Sequence, residues 1–280
     1  MSTVAPAVPA TDRDRDDGSP VTIAMQMFGA DLLKLRKKRG TLIWALVLAV
    51  APVLIYFVVA VIQHSAAPQE HGPAGGTSNF SDGLRVIALF FGPLAALLIG
   101  VEAGTGDASA GVFRDLVVTG RSRLALFASR VPAALTICFI LIAAAYALLL
   151  LGTFAFAGSL ATPDGSLILN GLGFVLLSTG VLCVVAVGFA SLTTSKPAAI
   201  IALIAWQIVA SPLLVMISSL GSARKGLLSQ AIAHFSPVHT GNGGHGATVT
   251  LSGGLAFIVL VAWLAVFLAL GAWRTRTMDA

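Results

Sequence analysis

Six long apolar runs dominate the sequence and are separated by shorter polar segments. The hydrocarbon core of a bilayer is about 30 Å thick, so a helix that rises about 1.5 Å per residue needs about 20 apolar residues to cross it. The runs do not alternate strictly between apolar and polar positions, which argues for helices and against a membrane barrel. The predicted transmembrane helices are residues 41–62, 84–101, 131–157, 167–192, 198–220 and 253–273.

The second of these runs is the shortest and contains Pro93, which predicts a kink because proline cannot donate the helical hydrogen bond. Residues 1–20 are polar, so we expect a disordered tail and no cleavable signal peptide. Residues 274–280 form a second short tail. The predicted domain organisation is therefore a single six-helix transmembrane domain, residues 41–273, between polar ends.

The segment 21–40, which precedes the first run, predicts an amphipathic helix that lies in the membrane interface. Its apolar residues recur at steps of three to five positions, and a basic cluster closes it. A simple basic stop before the first span is the alternative. The apolar positions are Ile23, Met27, Phe28, Leu32 and Leu35.

Composition agrees with a membrane protein, since 57% of the residues are hydrophobic and 10% are charged, against about 25% charged in soluble domains. The net charge of +5 does not indicate nucleic acid, because the basic residues flank the apolar runs. If the amino terminus is cytoplasmic, 14 of the 17 Lys and Arg residues are cytoplasmic, and only Arg85, Arg224 and Lys225 lie outside. This asymmetry predicts two cytoplasmic termini in a bacterial plasma membrane protein.

Two outer segments follow from this orientation. Residues 63–83 are rich in Gly, Pro and Ser and are interpreted as a flexible linker. Residues 221–252 contain a short apolar helix at 227–235, followed by Pro237 and a glycine-rich stretch. A helix of this length cannot span the membrane, so it either re-enters the outer leaflet or caps the bundle.

The sequence lacks several kinds of chemistry. It has no P-loop, no nucleophile elbow and no H-E-x-x-H motif, so we expect no catalysis and no nucleotide bound by this chain. Cys138 and Cys183 are interpreted as inert packing residues, and no metal site is expected. Gln207 is the clearly polar residue near the middle of a span, where it makes an interhelical hydrogen bond or, as a weaker hypothesis, contacts a substrate.

Residues 102–130 form the most informative predicted cytoplasmic connection. Residues 110–118 show helical periodicity, which predicts a short helix with an apolar face edged by charge, or else a solvated hairpin. Together with the order of the spans, this segment resembles the permease subunit of ABC-2 type exporters. The pattern E…G-x-x-R-x-L-x-x-x-x-x-S-R is matched by Glu102, Gly111, Arg114, Leu116, Ser122 and Arg123.

This resemblance implies a coupling helix that docks on a separate ATPase subunit, which would bind ATP and magnesium. The expected docking residues are Glu102, Gly111, Val112, Phe113, Arg114, Asp115, Leu116, Arg121 and Arg123. It also implies export driven by ATP, a second copy of the chain or a related permease as partner, and a partly re-entrant segment between spans five and six. The alternatives are a non-transporting immunity or assembly factor and, disfavoured by the absence of a titratable relay at mid-membrane, a secondary transporter.

Overall fold

The computed structural model describes residues 19–109, 111, 122–193, 195–238 and 250–277. Within these residues all regular secondary structure is helical, and turns and irregular segments connect the helices. The helices are α1 Pro20–Lys37, α2 Arg39–Ala66, α3 Gly76–Arg85, α4 Gly92–Ser109, α5 Arg123–Ala155, α6 Gly165–Ala190, α7 Lys196–Ala205, α8 Ser211–Met216, α9 Leu228–His234 and α10 Gly253–Thr277. Two π-helical segments join α3 to α4 and α7 to α8, and a 3-10 segment, Ser218–Gly226, precedes α9.

Six helical stretches of the described chain are long and apolar enough to cross a bilayer, which confirms the predicted number of spans and the membrane class. They are Arg39–Ala66, Gly76–Asp107, Arg123–Ala155, Gly165–Ala190, Lys196–Met216 and Gly253–Thr277. The helix predicted before the first span is also present as α1. It begins at the N-cap Ser19, whose hydroxyl accepts a hydrogen bond from the Thr22 amide, and a break at Lys38 separates it from α2.

The second span differs from the sequence prediction in length. It contains 32 residues and is one of the longest spans, because polar turns extend the apolar run at both ends. The interpretation of residues 76–83 as flexible linker is therefore wrong. Phe80 and Leu84 are fully buried there, and the Asn79 amide accepts a hydrogen bond from the Tyr56 hydroxyl at 2.7 Å while donating to two backbone carbonyls.

The two π-helical segments each end just before a proline. Val86–Phe91 lies before Pro93, and Trp206–Ala210 lies before Pro212. A proline inside a helix lacks an amide donor, and its ring crowds the carbonyl of the preceding turn, so the wider π turn accommodates the mismatch. The sequence indicated an irregularity at Pro93, and the structure shows a second one of the same kind at Pro212.

Helices α4 and α6 form the centre of the bundle. The most apolar stretch of α6 is 72% buried, against 17% for α10 at the periphery. Glycine lets the two central helices approach closely, as in G-x-x-x-G packing of membrane helices. A Cβ atom on Gly100 would lie 2.5 Å from the Cys183 carbonyl oxygen, and one on Gly104 would lie 2.7 Å from that of Val187.

The bundle has two distinct ends. At one of them, called the charged end, α1 meets α4 and α5, and the Arg123 guanidinium donates to the Arg276 carbonyl at the close of α10. At the opposite end the Gly75 amide donates to the Phe156 carbonyl, and the Thr77 amide donates to the Ala161 carbonyl. The second half of α1 and the last turn of α10 thus both lie at the charged end.

The segment between the last two spans turns back into the bundle. The predicted short helix is confirmed as α9, with Leu228 and Ile232 buried. The Trp263 indole donates to the Gly226 carbonyl at 3.0 Å, and Trp263 lies about 15 Å along α10 from its first residue, Gly253. At its other end, α9 brings His234 beside Gly253. The segment therefore doubles back along α10, and we call it the re-entrant segment for that reason. Its re-entry into the outer leaflet, one of the two alternatives from the sequence, stays a prediction.

Candidate functional site

A network of buried and half-buried ion pairs lies at the charged end of the bundle. It joins five helices, namely α1, the start of α2, α4, α5 and the start of α7. We call it the ion-pair network, and its members are Asp31, Lys34, Lys38, Thr41, Glu102, Asp107, Ser129, Arg130 and Lys196.

Glu102 is the centre of one half of this network and is only 4% exposed. Its Oε2 atom accepts a hydrogen bond from the Thr41 hydroxyl at 2.7 Å and also accepts one from the Lys196 ammonium. Lys38 approaches the other oxygen, Oε1, at 3.7 Å, and Lys196 also donates to Thr41 at 3.2 Å. Glu102 therefore connects α4 at the charged end to α2 and α7.

Asp107 is the centre of the other half. Its Oδ2 atom accepts from the Arg130 guanidinium at 2.9 Å, and its Oδ1 atom accepts from the Lys34 ammonium at 3.2 Å. Lys34 also bonds Asp31 at 3.1 Å, and the second oxygen of Asp31 accepts from the Ser129 hydroxyl at 2.6 Å. This half fastens α1 to the adjoining ends of α4 and α5.

The network holds three carboxylates and four cationic side chains in two clusters, one around Glu102 and one around Asp107, which α4 connects. Removing charges from water costs several kcal/mol per ion, and only close pairing with further hydrogen bonds offsets that cost. Lys34 and Lys38 keep 42% and 53% of their side chains exposed, whereas Arg130 keeps 6%. A cavity of ≈ 220 Å³ lies among these residues, so the helix ends have room to move relative to one another.

The structure locates three of the docking residues predicted from the sequence. Glu102 lies in the ion-pair network. Gly111 forms an exposed turn just beyond α4, with φ at +69°, a conformation that favours glycine. Arg123 begins α5 and contacts the end of α10. The remaining predictions lie outside the described residues, namely Val112, Phe113, Arg114, Asp115, Leu116 and Arg121.

Sequence reasoning did not identify most of the network. Arg130 and Lys196 lie near the ends of predicted spans, where long basic side chains often extend to the membrane surface, but in the structure both are ion-paired and Arg130 is buried. The amphipathic pattern of residues 21–40 did not indicate that Asp31 of α1 is buried against α5. One signal was present: a chain with only 12 acidic residues places Asp31, Glu102 and Asp107 beside the ends of apolar runs.

Gln207, the second predicted site, lies on the π-helical segment between α7 and α8 and is half-buried. It lines two neighbouring cavities of ≈ 300 and ≈ 460 Å³. The expected interhelical hydrogen bond is not found, since the side chain bonds no other residue in the described part of the chain. The weaker hypothesis, that its amide contacts a substrate, stays a prediction.

Comparisons with known proteins leave the family open: no family model matches the chain and no curated protein is significantly similar to it. Across the described ranges, no group of three His, Cys, Asp or Glu side chains is arranged to hold a metal ion. Of the five histidines in the sequence, His239 and His245 lie outside those ranges. The ion-pair network and the cavities beside Gln207 are therefore the candidate sites on which a functional proposal can be built.

Proposed function

We propose that this chain is the transmembrane subunit of an ATP-driven exporter of the ABC-2 type and that a separate ATPase subunit docks on residues 110–121. In this proposal the ion-pair network lies at the cytoplasmic face of the plasma membrane, as the distribution of basic residues predicts. ATP and magnesium bind the partner, and the chain works as a pair with a second copy of itself or a related permease.

The observation that carries the proposal is the direct connection between the ion-pair network and the segment 110–121. α4 leads into that segment and α5 leads out of it, and the Asp107–Arg130 pair joins these two helices at 2.9 Å. Lys34 adds α1 to the same pair, while Glu102, one turn and a half earlier on α4, adds α2 and α7. A force applied to the segment is thereby delivered to several spans together.

Such an arrangement suits a transporter driven from outside the membrane domain. When the ATPase dimer closes on ATP, it moves the docked segments, and stiff helices transmit the motion as a rigid-body rearrangement. The ion pairs hold the helix ends in one register in the resting state. The half-exposed Lys34 and Lys38 can re-pair or become solvated as the helices shift, because water is near them.

Two further features support the proposal. α1 precedes the first span and packs against α4 and α5, the position that the family resemblance implies for its interfacial helix. The re-entrant segment, Ser218–Gly226 followed by α9, lies between the last two spans and turns back toward the middle of α10. Such a segment is suited to gating the outer end of a pathway.

The test is capture of the ATPase by the tagged, full-length chain from native membranes. We expect a P-loop ATPase to copurify in a stoichiometric amount, and the double variant Phe113→Ala, Arg114→Glu to lose it without loss of the permease itself. The matched control makes the same kinds of exchange far from residues 110–121, Phe257→Ala with Lys225→Glu, and should retain the partner. Retention by both variants would contradict docking at 110–121.

A deletion in the docking segment distinguishes the exporter from the alternative, a non-transporting protein. Removal of residues 112–120 spares the ion-pair network, because Asp107 and Arg130 lie outside the deleted stretch. If the shortened chain still folds and still protects cells against a toxic compound, the docking segment is dispensable and the exporter proposal fails. We expect protection to be lost while the melting temperature stays within a few degrees.

A further inference from the structure

Two neighbouring cavities with shared lining residues lie between the central helices and the re-entrant segment. The smaller, of ≈ 300 Å³, lies among α4, α6, α7, α9 and α10, and the larger, of ≈ 460 Å³, extends toward α8. Together they reach the volume of pockets that hold drug-sized molecules, about 300–1,000 Å³. The residues that line both cavities are Leu182, Trp206, Gln207 and Leu228.

Four aromatic rings form a continuous wall on the smaller cavity. Trp263 stacks on Phe267, with centroids 5.5 Å apart and planes inclined by 20°. Trp206 lies 5.9 Å from Trp263, and Phe189 lies 6.2 Å from Phe267. All four side chains also border the cavity, so they present ring surfaces to whatever occupies it. Aromatic side chains bind planar rings by offset or edge-to-face stacking and delocalised cations by their faces.

Polar groups are concentrated around the larger cavity. The Gln207 amide lines both cavities and has no hydrogen-bond partner elsewhere in the described chain. In the wall of the larger cavity, the Ser211 hydroxyl donates a hydrogen bond to the Ser229 hydroxyl at 2.8 Å. Gln230 completes this polar side. None of the described residues that line either cavity carries a charge. A ligand with a localised anionic group would therefore lack a partner, whereas a neutral polar group would find hydrogen bonds.

Both π-helical segments contribute to the larger cavity. Leu89, Phe90 and Phe91 come from the segment before Pro93, and Trp206, Gln207 and Ile208 come from the segment before Pro212. π turns cost more than regular helix and occur often at functional sites. Here the chain has two of them, from different spans, on one cavity, and α9 of the re-entrant segment supplies a further wall through Leu228 and Ile232.

We propose that the joined cavities are a binding site for an amphipathic molecule with a planar aromatic part. The aromatic part occupies the space among Phe189, Trp206, Trp263 and Phe267, and an uncharged polar group, or the edge of a delocalised cation, bonds the Gln207 amide. Binding itself does not depend on the exporter assignment. That the bound molecule is also the exported substrate rests on the proposed function.

The test uses the full-length chain in phosphatidylcholine nanodiscs without an ATPase and rhodamine 6G as the planar aromatic probe. Fluorescence polarisation of the probe gives the dissociation constant. Trp44→Phe with Trp273→Phe removes the two exposed tryptophans of the four in the chain, so quenching of the remaining emission reports on Trp206 and Trp263. We expect saturable binding with matching quenching and polarisation curves.

Single substitutions test whether rhodamine 6G binds in these two cavities. Trp263→Leu and Gln207→Leu should each weaken rhodamine 6G binding about tenfold, the effect of losing one stacking or amide contact. Phe257→Leu, an exposed ring on the same helix α10, is the matched control and should leave binding unchanged. If Trp263→Leu does not fold, as judged by its elution profile and melting temperature, Phe189→Leu replaces it on the opposite helix.

Two outcomes would overturn the inference. Unchanged affinity in both site variants would place the probe elsewhere. Competition by dodecyltrimethylammonium as strong as that by ethidium would show that the cavities take acyl chains without preference for planar rings. Because no ATPase is present, failure here leaves the exporter proposal standing, and loss of ATPase capture in the earlier test leaves the binding site standing.

Discussion

Asp107 and Arg130 form a buried ion pair that links the two helices on either side of residues 110–121. The carboxylate and guanidinium atoms are 2.9 Å apart, and the side chains are 10% and 6% exposed. Lys34 from α1 contacts the same carboxylate. The pair is therefore unequal, since Asp107 has a second cationic neighbour whereas Arg130 bonds no other carboxylate among the described residues.

This inequality predicts different effects of the two single substitutions. Asp107→Asn leaves the buried Arg130 without a carboxylate, and an uncompensated buried charge of this kind costs about 3–5 kcal/mol. Arg130→Gln leaves Asp107 paired with Lys34, so the loss of stability should be clearly smaller. Thermal unfolding of the purified protein in one detergent, followed by intrinsic fluorescence, compares the two variants directly.

The double variant Asp107→Asn, Arg130→Gln provides the control for the ion pair. It removes both charges, so it should be more stable than Asp107→Asn alone, as expected when an unpaired charge dominates the cost. Equal melting temperatures for Asp107→Asn and Arg130→Gln would contradict the assignment of Lys34 as a second partner of Asp107.

Close packing of the central helices gives the next prediction. Gly100→Ala places a methyl group against the backbone of α6, because the Cβ atom would lie 2.5 Å from the Cys183 carbonyl oxygen. The helices must separate, at a cost of about 1–3 kcal/mol, the range for overpacking. Gly173→Ala, a helical position of α6 with open space around it, is the control and should be neutral or slightly stabilising. Thermal unfolding measures both, and equal effects would show that α4 and α6 do not depend on Gly100.

The number of spans and the position of the short helix α9 could be predicted from the sequence, because both depend on local apolar length. The length of the second span could not, because its outer turns are polar and are held by tertiary contacts. Asn79 illustrates this point: its amide bonds Tyr56 and two carbonyls, and no pattern in the sequence indicates those partners.

The ion-pair network was hidden for a related reason. A charged residue near a span end is usually explained by a position at the membrane interface. The sequence therefore did not indicate that Arg130 and Lys196 pair with carboxylates 23 and 94 positions away. Glu102 was found only through the family resemblance. The aromatic wall could not be predicted from the sequence either, because Trp206, Trp263 and Phe267 come from two spans and come into contact only when the helices pack.

Gly111 offers a test of the turn that follows α4. Its φ of +69° lies in the left-handed region, where side chains other than glycine and asparagine are strained by about 1–2 kcal/mol. Gly111→Asn should therefore be tolerated better than Gly111→Val in thermal unfolding. Gly40→Ala, at an open position near the start of α2, is the control and should have little effect. Equal tolerance of Val and Asn would show that this turn is not maintained in solution.

The membrane orientation leads to the last prediction, since the proposal places the charged end in the cytoplasm. Cys138 and Cys183 are 1% and 0% exposed, so the native chain should not react with a maleimide, and single engineered cysteines can report on topology. Ser65→Cys lies at an exposed position at the end of α2, and Ser122→Cys lies at the exposed N-cap of α5. In intact cells a membrane-impermeant maleimide should label Ser65→Cys at once and Ser122→Cys only after permeabilisation. The reverse pattern would place the ion-pair network outside the cell, where no ATPase could reach it, and would contradict the exporter proposal.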